Sequence, residues 1–266
     1  MRIPYHQVDA FTARTFGGNP AGVCILEGWL PDDILQRIAA ENNLPETAFL
    51  TRQADDSYHL RWFTPILEVD LCGHATLASA FVLFAALGHA GRCLRFHTRS
   101  GWLTAERNGD IIELDFPSRV PVPCLVPDEL LRGLGRKPRE VLKARDFLAV
   151  YDSQAEVAAL TPDMALLERL DCLGVIVTAQ GEDADFVSRI FAPRAGVPED
   201  PVTGSAHCSL IPFWAERLGK KELLARQISR RGGELYCRFA GERVGIGGRA
   251  VIYCRGELEV PMAFNP

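Results

Sequence analysis

Two stretches of the chain repeat one another: RWFTPILEVDLCGHATLASAFVLFAALG at 61–88 and RIFAPRAGVPEDPVTGSAHCSLIPFWAERLG at 189–219. Both open on Arg-x-Phe-x-Pro, at 61–65 and 189–193, an offset of 128. Each then has a loop ending in Gly-(His/Ser)-Ala, at 73–75 and 204–206, and closes on Leu-Gly fifteen residues after its first glycine. The second loop is three residues longer, which moves the offset from 128 to 131. Farther on, Arg99-Ser-Gly101-x-Leu103 matches Arg231-Gly-Gly233-x-Leu235 at offset 132, and a turn follows in both, Asn108-Gly109 and Ala240-Gly241. A common order at a nearly constant offset points to an ancient duplication, each copy being one supersecondary unit. The expectation is two similar lobes: 1–117, completed by C-terminal residues, and 118–266, linked through about Pro117–Pro127.

The rest of the pattern suits an α+β chain. Ile3–Phe11, Ala48–Thr51, Tyr58–Phe63, Arg95–His97, Trp102–Arg107 and Ile111–Phe116 read as strands. Leu30–Asn42 reads as an amphipathic helix, opened by Pro31 and two aspartates that suit its positive end. In the first repeat, only His74, Thr76 and Ser79 interrupt an apolar run from Gly73 to Gly88. A helix apolar on every face belongs inside a core. With 266 residues and 47% hydrophobic content, the chain can bury one such helix in each of two pseudo-symmetric lobes, its β-sheet wrapped around it. Pro212 should kink the second of these helices.

Composition excludes several partners. The net charge is −5 and the pI about 5.7, and no basic block exceeds Arg230-Arg231, so neither nucleic acid nor a membrane surface is expected. The N-terminal MRIPYHQVDAFT lacks the apolar core of a signal peptide, and the run at 77–87 is too short to span a bilayer. The eight cysteines are scattered without CxxC or paired Cys/His spacing, which fits a reducing cytoplasm and no metal site. FGGNPAGVCIL at 16–26 reads as turn-forming, and lacks both GxGxxG and P-loop spacing. GxSxG and HExxH are absent too, so a cofactor-independent site is expected.

If two related lobes face one another, equivalent helix N-termini can share a cleft. Their free N–H groups and dipole favour a small carboxylate or phosphate, with Gly73 and Gly204 permitting close approach. Around these starts lie the residues able to do chemistry. Glu46, in ENNLPETAFL, is either a solvated loop residue or a carboxylate in an apolar cleft, raised toward general acid/base use. His74 can donate, shuttle a proton or merely satisfy local backbone groups. Asp200, in PEDPVTGSAH, can orient a substrate amine or hydroxyl, or cap the turn before Pro201. Ser205 caps its helix or donates to a ligand carboxylate. Cys72 could act as a racemase base if its thiolate were stabilised, but no second thiol is supplied at Gly204 or Ser205. His207 and Cys208 read as packing.

These motifs resemble a known family. VDAFTARTFGGNPAGV, LPETAFL, the Phe-Thr-Pro…Glu-Val…Leu-Cys-Gly-His-Ala-Thr block and DPVTGSA are similar, in order, to the phenazine-biosynthesis PhzF-like proteins, within the wider diaminopimelate-epimerase-like fold. The resemblance implies two pseudo-symmetric lobes with the site in the cleft between them, usually in a homodimer. It also implies an isomerisation in which a proton leaves one ring carbon of a dihydro-hydroxyanthranilate and returns at another. It assigns Glu46 as the acid/base, His74 and Asp200 as site partners, and Gly73, Gly204 and Ser205 as binders of the substrate carboxylate. Two departures bear on the substrate: Pro45 stands where many members have serine, and Arg231-Gly232-Gly233 replaces an expected Gln-Gly.

The reading is thus a cytoplasmic, cofactor-free isomerase or epimerase of a small carboxylate-bearing metabolite. Its rivals are a Cys72-dependent racemase of amino or hydroxy acids and a non-catalytic metabolite-binding protein of the same fold.

Overall fold

The computed structural model describes residues 1–261. They divide into two compact units, one built from 1–114 and the segment from Gly248 onward, the other from 115–247. Among the described residues, no helix is long and apolar enough to cross a membrane.

In the first unit the strand Arg2–Ala10 lies antiparallel to both Ala250–Glu259 and Asn19–Leu26. Asn19–Leu26 continues in parallel to Glu46–Arg52, which pairs antiparallel with Tyr58–Phe63. Tyr58–Phe63 runs parallel to Cys93–Thr98, which turns back into Gly101–Asn108. Each parallel step needs a crossover, and each has one. Helix Asp32–Asn42 makes the first, covering a core of Ile3, Cys24, Leu35, Phe49 and Phe63. Helix Gly73–Phe81 makes the second, and every residue from Gly73 to Ala80 is buried.

The polar interruptions of that helix are satisfied locally. Thr76 Oγ1 donates to Cys72 O at 2.5 Å and Ser79 Oγ to Ala75 O at 2.7 Å, so neither hydroxyl is stranded in the core. The helix closes through a wide turn over Val82–Ala86, and Gly88 ends it at φ +68°.

The second unit repeats this order. Phe147–Val150 runs parallel to Val175–Gln180, across the short helices Gln154–Ala159 and Met164–Leu167. Val175–Gln180 pairs antiparallel with Phe186–Ala192, which is parallel to Glu222–Gln227 across helix Gly204–Leu218. This is an α+β fold in which each unit's strands enclose one buried helix, as the internal repeat leads one to expect.

The duplication extends to the loops that deliver the helix starts. Arg61 grips Glu68 with two hydrogen bonds of 2.7 Å, and its guanidinium lies 5.1 Å from the Phe63 ring centroid. Arg189 grips Glu199 at 2.7 and 3.0 Å and lies 4.9 Å from Phe191. Each pair clamps the loop that follows its Arg-x-Phe-x-Pro. The remaining guanidinium nitrogen differs in use. Arg61 donates to Asp32 at a helix N-terminus, whereas Arg189 donates to Val157, Ala158 and Leu160 carbonyls at a helix C-terminus.

One expectation is corrected. The stretch 16–26 is a turn only as far as Gly18, and Asn19–Leu26 is a strand paired on both sides. Pro20 is tolerated because it stands next to the strand's first residue, leaving Ala21–Leu26 to carry the ladder. Helix Gly204–Leu218 continues through Pro212. A proline cannot donate to the carbonyl four residues back. That carbonyl, Cys208 O, accepts instead from Arg119 N at 2.9 Å.

Candidate active site

In the first unit, four of the polar residues gather at the start of the buried helix. Glu46 opens the strand Glu46–Arg52, with its side chain 19% exposed and Oε2 3.1 Å from His74 Nε2. The contact lies at ion-pair distance. One such contact leaves a carboxylate further lone pairs for another partner. On the opposite ring nitrogen, Asn19 Nδ2 lies 3.2 Å and Cys72 Sγ 3.5 Å from His74 Nδ1.

Asn19 reaches the imidazole because of the two glycines before it. Gly18 has φ +60°, and a Cβ there would stand 2.0 Å from Ala10 O, so only glycine makes this turn. The chain then enters its strand with Asn19 fully buried. Sequence reasoning missed this residue, because an asparagine between glycine and proline reads as turn chemistry.

Burial alone disfavours a His74 imidazolium, but Cys72 and Glu46 outweigh it and raise the ring well above the ordinary histidine value. Burial, aided by Glu46, pushes the Cys72 thiol up as well. With that thiol protonated at neutral pH, the Glu46 carboxylate is the charge that accounts for the rise at His74.

Glu46, Cys72 and His74 offer donor atoms within 4.8 Å of one another. They do not fit a single cation: sulfur stands at Nδ1 and the carboxylate at Nε2, and imidazole lone pairs diverge from opposite edges of the ring. The arrangement is a row (Asn19, His74, Glu46) suited to holding a proton.

In the second unit, Asp200, Gly204 and Ser205 meet at the other helix start. Asp200 ends the strand Val197–Asp200 and accepts from Thr203 Oγ1 at 2.5 Å. Gln227 secures the same loop, donating to Asp200 O at 2.7 Å and accepting from Thr203 N at 2.8 Å. Ser205 Oγ accepts from Arg145 Nη2 at 3.2 Å, and Asp146 holds that guanidinium at 2.8 Å. Arg145 is a second residue that the motifs did not single out. Its signal was absent, since it lies 60 residues before Ser205.

His207 and Cys208 are buried packing residues. His207 donates Nδ1–H to Thr203 O at 2.9 Å and stacks beside Phe186 at 5.9 Å. Burial lowers its titration to about 4.

The strands around a buried helix, with a carboxylate and imidazole at its start, can be set beside known proteins. The family model for phenazine biosynthesis-like proteins matches residues 8–256. An uncharacterized isomerase of Pseudomonas aeruginosa is 55% identical, over 98% of this chain and 100% of its own length. A solved structure of a PhzF-family phenazine biosynthesis protein from Enterococcus faecalis superposes with a TM-score of 0.95 at 48% identity, covering 98% of this chain and 100% of that one. The fold alone extends to a hydroxyproline epimerase from Agrobacterium vitis, at a TM-score of 0.61 and 12% identity over 97% of this chain and 92% of that one. The chain belongs to the phenazine biosynthesis-like PhzF family, as one of its isomerases.

Proposed function

We propose that this chain shifts a proton on a small carboxylate-bearing metabolite without a cofactor, with Glu46 as the acid/base. The observation that carries the reading is the half-buried Glu46 carboxylate, 3.1 Å from a buried imidazole yet with lone pairs to spare. Glu46 takes a proton from a substrate carbon: the C–H bond breaks, an O–H bond forms, and the electron pair delocalises into an adjacent unsaturated group. Glu46 then returns the proton to another carbon or face. His74 shares the proton's charge across the Nε2–Oε2 contact. Asp200 is proposed as a substrate-orienting partner, and Gly73, Gly204 and Ser205 as carboxylate-binding positions.

A Cys72 base is disfavoured, because burial opposes its thiolate. All eight cysteines are free, which supports a reducing cytoplasm as the setting. A homodimer is proposed on the resemblance, and sedimentation equilibrium of the purified chain tests it.

The deciding experiment is deuterium incorporation from D₂O into a panel of small carboxylates. Glu46→Gln should reduce exchange by about 100-fold or more while ligand binding persists. Wild-type exchange retained in that variant would remove Glu46 from the mechanism. A wild-type protein that binds panel members yet exchanges none would favour a metabolite-binding protein.

A further inference from the structure

His74 has different kinds of neighbour on its two ring nitrogens, and Asn19, which shares Nδ1 with the Cys72 thiol, has no part in the proton transfer described so far. A neutral imidazole with its hydrogen on Nε2 needs a donor at Nδ1, whereas an imidazolium needs an acceptor there. A buried site that serves one state leaves a mismatch in the other. The primary amide of Asn19, 3.2 Å away, has both an N–H₂ end and a carbonyl end.

We propose that Asn19 is a positioning residue that serves both protonation states of His74, presenting Nδ2 to a bare Nδ1 and Oδ1 to a protonated one. The proton shared by Glu46 and His74 then rests on either group without stranding Nδ1. The functional meaning rests on the Glu46–His74 reading above. The chemical claim concerns the imidazole alone.

The same unit supplies a contrast. At His59 the neighbour of Nδ1 is Trp29 Nε1, 3.1 Å away, which can donate and has nothing with which to accept. That partner suits only the neutral ring, and burial followed by His97 holds the His59 titration down. At His74 the partner is an amide that can turn either end to the ring.

Few other groups act on His74. Glu46 faces it from its strand and Cys72 from the helix entry. Asp9, on Arg2–Ala10, accepts from Phe16 N, and Cys24, on Asn19–Leu26, lies in the core beneath helix Asp32–Asn42. On Ala250–Glu259 the titratable residues Tyr253, Cys254, Arg255, Glu257 and Glu259 are exposed.

The test is ¹⁵N NMR of histidine-labelled full-length protein, titrated from about pH 5 to about pH 10, with the His74 signals assigned by their loss in His74→Gln. Asn19→Asp offers acceptors only, and should move the His74 midpoint up by about one pH unit or more. Asn19→Leu offers neither end, and should move it down by about as much. Should Asn19→Leu fail to fold, Asn19→Ala takes its place. The Asp midpoint above wild type and the apolar variant below it support the proposal. Any other order in folded protein overturns it, whatever Glu46→Gln does to deuterium exchange.

Discussion

Cys72 and Glu46 address the same imidazole from opposite ring nitrogens, at 3.5 and 3.1 Å. Their expected mutant phenotypes are opposite too. Cys72→Ala should keep deuterium exchange within about threefold of wild type, since a protonated buried thiol packs rather than reacts. A loss comparable to that of Glu46→Gln, measured on the same panel, would restore thiol catalysis. Single residues were unevenly legible. Glu46 and His74 could be nominated from residue type and neighbours, but with a solvated-loop or backbone-satisfying role left open, and their assignment came from the family resemblance. Asn19 could not, since its role depends on a φ +60° turn at Gly18 that folds the chain back under the helix.

Among the elements, the crossovers depend on how their entry loops are held. Arg61 and Glu68 have side chains only 11% and 10% exposed, and removing Arg61 strips Glu68 of its two-pronged partner, leaving the exposed Arg99 at 2.6 Å as the cation on that nearly buried carboxylate. Arg61→Ala should therefore destabilise the protein by about 2 kcal/mol in urea unfolding. Arg189→Ala should cost less, since Glu199 is 26% exposed and water can replace part of the clamp. No loss in either variant would show that these pairs do not anchor the helix starts. Period-two alternation located six strands within a few residues of their bounds. It missed Asn19–Leu26 because Pro20 and Gly22 interrupt the pattern, and because pairing on both sides made the strand apolar throughout. The buried helices were recognisable for the same reason that their polar residues looked odd. Thr76 and Ser79 hide their hydroxyls in the helix's own backbone, which composition does not reveal.

For the whole molecule, two histidines make opposite contributions to stability with pH. The His207 value is lowered to about 4, so between the ordinary histidine value of about 6.5 and 4 the unfolded chain binds a proton that the native one refuses. Its contribution is complete above pH 6.5 and lost as pH falls, to an extent on the order of 3 kcal/mol. His74 is raised, so its contribution is complete below about pH 6.5 and lost as pH rises through its elevated value. Urea midpoints measured against pH should fall on both sides of about 6.5. His207→Phe should flatten the acid limb and leave the alkaline limb in place, whereas an unchanged acid slope would show that His207 is not protonated on unfolding. Two-lobed architecture was readable from the repeat alone. The assignment of the last strand was less so, since its partner lies at the far end of the chain.

That last strand has a consequence for synthesis. Ala250–Glu259 completes the sheet of the first unit by pairing with Arg2–Ala10, and Val260 N donates to Met1 O at 2.9 Å. The second unit, by contrast, is one uninterrupted stretch, 115–247. On the ribosome, the part of the protein made later is the first to have all its strands. The N-terminal residues must wait, with the row at Glu46 already translated, until Ala250–Glu259 has been made. Closing that sheet joins the most distant residues of the chain, the kind of contact that forms slowly.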